Sequence, residues 1–270
     1  MNGALRDEAA ARIGVADHGL VVGDGVFEAL KVRDGVPFAL RRHLQRLRRS
    51  ALGLGLGEID VEEIRRGALE VCAAAGDAGL GRLRITVTGG ISPLGSERGS
   101  GPLTRVIALD DLAEPAPAAD VAMAPWRRNE HGALTGLKTT SYAENVRALA
   151  YAHEHGASET VFANTAGNLC EGTGTNVFVV TGGRLVTPPL SAGCLAGITR
   201  ALVLEWHGGE ETDLPAEALA GAEEAFLTST GRDVQAIRAV DGRELPVAPG
   251  PVTRKAAEVF AQRAAETPDP

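Results

Sequence analysis

Glu114-Pro115-Ala116-Pro117-Ala118-Ala119 is the stretch that divides this 270-residue chain. Two prolines among alanines make a short, stiffened connector, because each proline fixes its own φ and cannot donate a backbone hydrogen bond. The chain is longer than one typical domain. The connector, taken as residues 113–120, therefore predicts a small N-terminal domain over residues 1–112 and a larger C-terminal domain over residues 121–270.

Ahead of the connector, Leu20–Val22 and Val26–Val32 read as strands around the turn Gly23-Asp24-Gly25. Asp34-Gly35 predicts a hairpin into Val36–Leu40. Leu44, Leu47, Ala51 and Leu54 recur at helical spacing, and Gly55 and Gly57 end that helix. Asp60 followed by Glu63 has the capping-box pattern of a second helix, with Val61, Ile64, Ala68 and Val71 as its buried stripe. Arg82–Thr88 and Thr104–Leu109 read as strands. Beyond the connector, strands are expected at Val121–Ala124, Thr160–Ala163, Asn176–Val180, Arg184–Val186, Ala225–Thr228 and Val234–Ala239. Helices are expected from Thr140 to His155, Ile198 to Trp206 and Val252 to Ala264. The fold class is α+β. The second part alternates strands and helices but is rich in hairpins. No GxGxxG follows a strand, so a dinucleotide-binding fold has no support.

Composition excludes several functions. The formal net charge of -8 argues against nucleic acid or an anionic membrane as partner. The local run Arg41, Arg42, Arg46, Arg48 and Arg49 decorates a helix and does not reverse that balance. Cys72, Cys170 and Cys194 form no CxxC pair, so they read as reduced thiols rather than a zinc site or disulfide framework. His153 and His155 stand two apart on a helix and do not share a face, and the six histidines offer no metal set. There is no run of eighteen apolar residues, and Met1 to Ala11 carries no apolar core. A cytoplasmic protein is expected.

Four segments can carry chemistry. Arg46, in His43-Leu44-Gln45-Arg46-Leu47, is either a solvated helix residue or an anion clamp with bidentate geometry. Lys138, between a glycine turn and a helix, is either an exposed amine or a nucleophilic one. Glu171 precedes the glycine- and threonine-rich Gly172-Thr173-Gly174-Thr175, where a carboxylate can meet a cationic ring nitrogen. Gly197-Ile198-Thr199-Arg200 and Thr228-Ser229-Thr230-Gly231 offer free amides that suit a phosphate, although hydroxyl residues there also serve as plain helix caps. An arginine and two amide turns for a phosphate, a lysine for an aldehyde and a carboxylate for a pyridinium are together the contacts that pyridoxal 5′-phosphate needs.

From about Asn2 to Phe260 the sequence resembles the class IV aminotransferases, which include branched-chain and D-amino acid aminotransferases and 4-amino-4-deoxychorismate lyases. The resemblance rests on five motifs in order: Gly23-Asp24-Gly25-Val26-Phe27-Glu28; His43-Leu44-Gln45-Arg46-Leu47 with Ser50-Ala51; Lys138; Glu171-Gly172 with Asn176-Val177-Phe178; and Leu195-Ala196-Gly197-Ile198-Thr199-Arg200. It implies a fold-type IV enzyme whose cofactor, pyridoxal 5′-phosphate (PLP), sits between the two domains of a homodimer. It also implies that Lys138 bonds the cofactor's aldehyde and that Glu171 faces its pyridine nitrogen. Arg46, Ile198, Thr199 and Thr230 would then contact its phosphate. Phe27 stands where D-amino acid enzymes have a tyrosine. Arg84 aligns with an arginine near the substrate of branched-chain enzymes, and an exposed strand residue is the alternative. Ala143 occupies the place of a tyrosine found after the lysine in branched-chain enzymes, with Tyr142 one residue early.

Within that family the run from Leu137 to Val146 looks most similar to 4-amino-4-deoxychorismate lyases, which release pyruvate and 4-aminobenzoate for folate synthesis. The alternative is an aminotransferase of branched-chain, less so D-, amino acids with a 2-oxo acid acceptor. A catalytically silent PLP-binding protein is a reading of another class, and the joint presence of Lys138, Glu171 and Arg46 argues against it.

Overall fold

The computed structural model describes residues 1–76 and 79–270, and among these the chain forms two units. The first comprises Met1–Ala113, Leu137–Tyr142 and Thr267–Pro270; the second comprises Glu114–Gly136 and Ala143–Glu266. Two short returns therefore distinguish these units from a division at the connector alone. Residues 137–142 join the first unit through backbone bonds. Phe27 N–H donates to Lys138 O at 3.0 Å and Thr140 N–H to Gly25 O at 2.8 Å. Residues 267–270 join it where Ala39 N–H donates to Pro268 O at 2.7 Å and Arg41 N–H to Asp269 Oδ1 at 2.8 Å.

In the first unit a short helix α1 (His18–Val21) precedes β1 (Gly25–Arg33), β2 (Val36–Pro37), α2 (Leu40–Leu54), α3 (Val61–Ala75), β3 (Leu80–Thr88) and β4 (Thr104–Asp111). The strands form an antiparallel sheet in the order β2-β1-β3-β4. Its apolar face, with Val26, Leu30, Leu83, Ile85 and Val87, packs with Leu44, Leu47 and Ala51 of α2 and Ile64 and Ala68 of α3. Asp34 and Gly35 both take positive φ (50° and 75°), the primed-turn geometry expected of that dipeptide. The Asp60 carboxylate accepts from Glu63 N–H at 2.8 Å, as the capping pattern predicts, while the Glu63 side chain pairs with Arg105.

Three local expectations are corrected. Leu20–Val22 is not a strand. The Asp17 carboxylate accepts from Gly19 N–H and caps a turn of helix there. The strand after the hairpin ends at Pro37, because Ala39 takes a positive φ of 54° and α2 begins at Leu40. The helix expected from Thr140 begins at Ala143: Thr139 bridges Val26, Thr140 N–H donates to Gly25 O, and the Ser141 hydroxyl donates to Gly23 O.

The second unit contains β5 (Ala118–Arg128), α4 (Ala143–Glu154), β6 (Glu159–Asn164), β7 (Leu169–Gly172), β8 (Asn176–Thr181) and β9 (Arg184–Thr187). They are followed by α5 (Ile198–Trp206), β10 (Glu210–Glu211), β11 (Glu224–Ser229), β12 (Asp233–Val240), β13 (Arg243–Glu244) and α6 (Pro251–Glu266). The sheet order is β10-β9-β8-β11-β12-β5-β6-β7, with β13 beside β12. Residues 118–120, the end of the expected connector, pair in parallel with β12. The β5–α4–β6 passage is a parallel crossover, whereas β6–β7, β8–β9 and β11–β12 pair antiparallel. Val121, Val161, Val177, Val179, Leu227 and Ile237 fill the core on one side. No helix of the described residues is long and apolar enough to cross a membrane.

The sheet–helix core of the first unit sets its stability. Leu47→Ala, at a fully buried site, is expected to destabilise the protein by about 2–5 kcal/mol. Asp60→Ala removes only a helix cap and is expected to cost about 1 kcal/mol. Urea unfolding of the two variants checks the order.

Candidate active site

The extended run 137–142 carries Lys138 along β1. Its backbone N–H donates to Ser50 Oγ at 3.2 Å, and Thr139 bridges Val26. The Lys138 Nζ lies 4.4 Å from the centroid of the Phe27 ring and 5.8 Å from that of Tyr142. Those two rings meet edge to face at 5.3 Å. Tyr142, despite its shift of one residue, thus returns to the lysine. The Arg84 guanidinium lies 3.9 Å from the Phe27 centroid. Lys138, Phe27 and Arg84 are therefore brought together, along with Tyr142.

Arg46 sits on the α2 face that also carries His43 and Ser50. It is buried and held by a residue not singled out from the sequence, Glu28 of β1. Nε donates to Glu28 Oε1 at 2.8 Å and Nη2 to Oε2 at 2.7 Å. The His43 ring completes the group, its Nδ1–H donating to Oε2 at 2.7 Å. Complete burial opposes the charge on Glu28, but the Arg46 guanidinium and the His43 donor outweigh it and bring the carboxyl pKa to about 2. Burial pushes the His43 pKa down, so the ring is neutral near pH 7. A signal for Glu28 existed: a carboxylate between Phe27 and Ala29 in an apolar strand requires a buried partner.

The remaining expected site residues lie in the second unit. Glu171, on β7, accepts from Leu195 N–H through Oε2 at 2.8 Å, and its Oε1 lies 3.7 Å from Arg128 Nε. The turn after it is ordered by buried Glu159, which accepts from Thr173 N–H at 3.0 Å and lies 3.3 Å from Thr175 Oγ1. Ile198 and Thr199 open α5, and Gly197 before them has no side chain to cap the helix amides. Asn176 donates to Leu195 O at 2.9 Å, and a Cβ at Gly197 would fall 1.9 Å from its carboxamide oxygen, so glycine is required by contact. Thr230 lies in the turn joining β11 to β12, and the neighbouring Thr228 Oγ1 is buried with no partner among the described residues.

This donor set comprises an amine, a locked guanidinium, uncapped helix amides, an orphaned hydroxyl and a carboxylate. Taken unit by unit, the first unit supplies groups suited to an aldehyde and a phosphate, and the second supplies groups suited to a phosphate and a pyridine nitrogen, which are the chemical types PLP presents.

The sequence profile of the amino-transferase class IV family matches residues 25–240. The chain belongs to that family. Among relatives of this class IV enzyme is the bifunctional aminodeoxychorismate lyase / D-amino acid transaminase of Mycobacterium tuberculosis, 33% identical over 91% of this chain and 90% of that one. The branched-chain aminotransferase of Thermoproteus uzoniensis, solved with norvaline, superposes with a TM-score of 0.88 at 31% identity, over 96% of this chain and 92% of that one. A hypothetical aminotransferase from M. tuberculosis, in its PLP-bound form, gives a TM-score of 0.85 at 27% identity, over 98% and 96% of the two chains. The class IV aminotransferase is a fold-type IV, PLP-dependent enzyme with two α+β units.

The thiols of this enzyme are free and buried; burial raises the pKa of all three, that of Cys194 to about 12. No group of His, Cys, Asp and Glu among the described residues could hold a metal ion.

The buried Glu28 yields a pH prediction. Its folded pKa, about 2, lies below the ordinary value of 4.5, so the unfolded chain binds the extra proton between them. Its stabilising contribution is complete above about pH 4.5 and is lost as pH falls toward 2, on the order of 3 kcal/mol in all. Unfolding free energies measured across that range should fall with decreasing pH, and Glu28→Gln should flatten the fall.

Proposed function

We propose that this enzyme is a 4-amino-4-deoxychorismate lyase that forms pyruvate and 4-aminobenzoate. The observation that carries the reading is the surroundings of the Lys138 amine: the Phe27 ring at 4.4 Å, the Tyr142 ring at 5.8 Å, and Arg84 against Phe27. Aromatic walls favour a flat, unsaturated six-membered ring by stacking. The substrate also carries two carboxylates. Arg84 is exposed and has no acidic partner among the described residues, so its planar fork can bind one of them. Phe27 lacks the phenol that would hold the carboxylate of a D-amino acid.

When bound, PLP supplies an electron sink for negative charge developing beside the substrate nitrogen. Lys138 would bond the cofactor's aldehyde, and its amine, once released by the substrate amine, would be free to act as a base. Its freed Nζ then removes the proton from the ring carbon bearing nitrogen. The bond from the adjacent carbon to the enolpyruvyl oxygen breaks, pyruvate leaves as its enol and takes up a proton at carbon, and the ring becomes aromatic. Glu171 would meet the pyridine nitrogen and keep it protonated. Arg46, Ile198, Thr199 and Thr230 would hold the phosphate, with Arg46 kept in one orientation by Glu28.

The second reading is aminotransfer from branched-chain, less so D-, amino acids to a 2-oxo acid. It is supported by the relative that combines both activities and by the similarity to the Thermoproteus enzyme. A cytoplasmic homodimer accompanies either reading. Val15, Leu20, Ile91 and Leu94 expose apolar surface in the first unit that a second copy would cover.

The deciding assay offers 4-amino-4-deoxychorismate without a keto acid, and separately L-leucine or D-alanine with 2-oxoglutarate. Equal yields of pyruvate and 4-aminobenzoate are expected; glutamate formation alone would replace the lyase by the aminotransferase. A PLP-loaded protein inactive in both would leave the silent binding protein. Lys138→Ala should abolish turnover. Arg84→Leu should raise KM for the lyase substrate about tenfold or more, since hydrogen bonds to charged groups contribute roughly 1.5–3 kcal/mol.

A further inference from the structure

Arg128 ends β5 with two nitrogens left over. Its Nη1 donates to the Glu144 carboxylate and, at 3.2 Å, to Asn145 Oδ1, both in the first turn of α4. The guanidinium lies 4.2 Å from the centroid of the Phe162 ring. Nε and Nη2 are buried and have no hydrogen-bond acceptor among the described residues. Buried donors left in this state are rare in folded proteins, because each loses its water without replacement. Glu171 Oε1 stands 3.7 Å from Nε, within ion-pair range and beyond a hydrogen bond. The other oxygen of that carboxylate is already fixed by Leu195 N–H. Asn145 in turn donates to Thr173 O, two residues after Glu171. One guanidinium thus joins the end of β5, the start of α4 and the strand carrying Glu171, and the Ala143-Glu144-Asn145 run supplies its anchors.

We propose that Arg128 is a positioning residue for Glu171, holding its carboxylate ionised and aimed so that a pyridine nitrogen facing it stays protonated. This rests on the reading of Glu171 as the partner of that nitrogen. A cation at this range favours the ionised carboxylate, and an ionised carboxylate favours a protonated ring. Anchoring on Glu144, Asn145 and Phe162 fixes the guanidinium in place, so the field at Glu171 is built in before any ligand arrives.

The test loads the wild type and the variants Arg128→Gln, Arg128→Lys and Glu171→Gln with PLP enriched in nitrogen-15 at the ring. The ring-nitrogen NMR shift is then followed from about pH 6 to 9. In the wild type the nitrogen should remain protonated throughout. In Arg128→Gln its titration midpoint should fall by about one pH unit or more, a tenfold change in the protonation equilibrium. Arg128→Lys, which keeps the charge but not the flat fork, should recover part of that shift. The kcat should follow the shift, with KM nearly constant. Wild-type ring protonation in Arg128→Gln, with only a lower Tm of the apoprotein, would reduce Arg128 to a strut between β5 and α4 and overturn the proposal. If Glu171→Gln also leaves the nitrogen protonated, the reading of Glu171 itself falls and the proposal with it. Should Arg128→Gln fail to fold, the comparison of Arg128→Lys with the wild type decides: an unshifted midpoint with reduced Tm overturns the proposal, and a lowered one supports it.

Discussion

Two backbone hydrogen bonds organise the lysine's surroundings: Phe27 N–H to the Lys138 carbonyl, and Thr140 N–H to the Gly25 carbonyl. They hold Lys138 and Thr140 against the first strand, and the helix begins only at Ala143. An amine on a helix would have projected from a cylinder whose register depends on everything C-terminal to it. On a strand-like segment it is indexed directly to Phe27, and the rings of Phe27 and Tyr142 then define its immediate surroundings.

The electrostatics follow a comparable economy. Glu28 is wholly buried, which is expensive for a carboxylate unless its lone pairs are answered. Arg46 and His43 answer both oxygens, and the neutral ring lets the group hold one positive and one negative charge. The result restricts Arg46 to one orientation. A free arginine would have to lose that side-chain freedom upon meeting an anion, whereas here the loss occurs on folding. In the second unit Arg128 is anchored differently, by an aromatic face and the start of a helix, and it keeps unmatched donors beside Glu171.

Much of this was legible in the sequence because the signals were local. Helical periodicity located α2 and α3, the Asp34-Gly35 dipeptide specified its turn, and Gly197 marked the start of α5 to the residue. Ordered motifs singled out Lys138, Arg46 and Glu171 as candidates, although each alone is an ordinary residue. What escaped depended on partners distant in sequence. Thr140 adjoins a helical run, yet its N–H is taken by Gly25 O of β1 and Thr139 bridges Val26, partners far away in sequence. Leu20–Val22 looks apolar enough for a strand, but the Asp17 cap decides otherwise. Glu28 meets residues 15 and 18 positions away, and Arg128 meets Glu171 across 43 positions, so no window of sequence presents either pair together.

The return of residues 267–270 to the first unit bears on how the chain is made. Helix α2 starts after Ala39, which has a positive φ of 54° and no side-chain cap, and the amides of Ala39 and Arg41 are satisfied by Pro268 and Asp269. During synthesis those partners emerge more than two hundred residues after the helix they complete. The first unit carries its own sheet, but the entry of the helix carrying Arg46 lacks these partners until residues 268 and 269 have been made. Contacts so distant in sequence close slowly. The lysine segment likewise follows in sequence the strand that receives it.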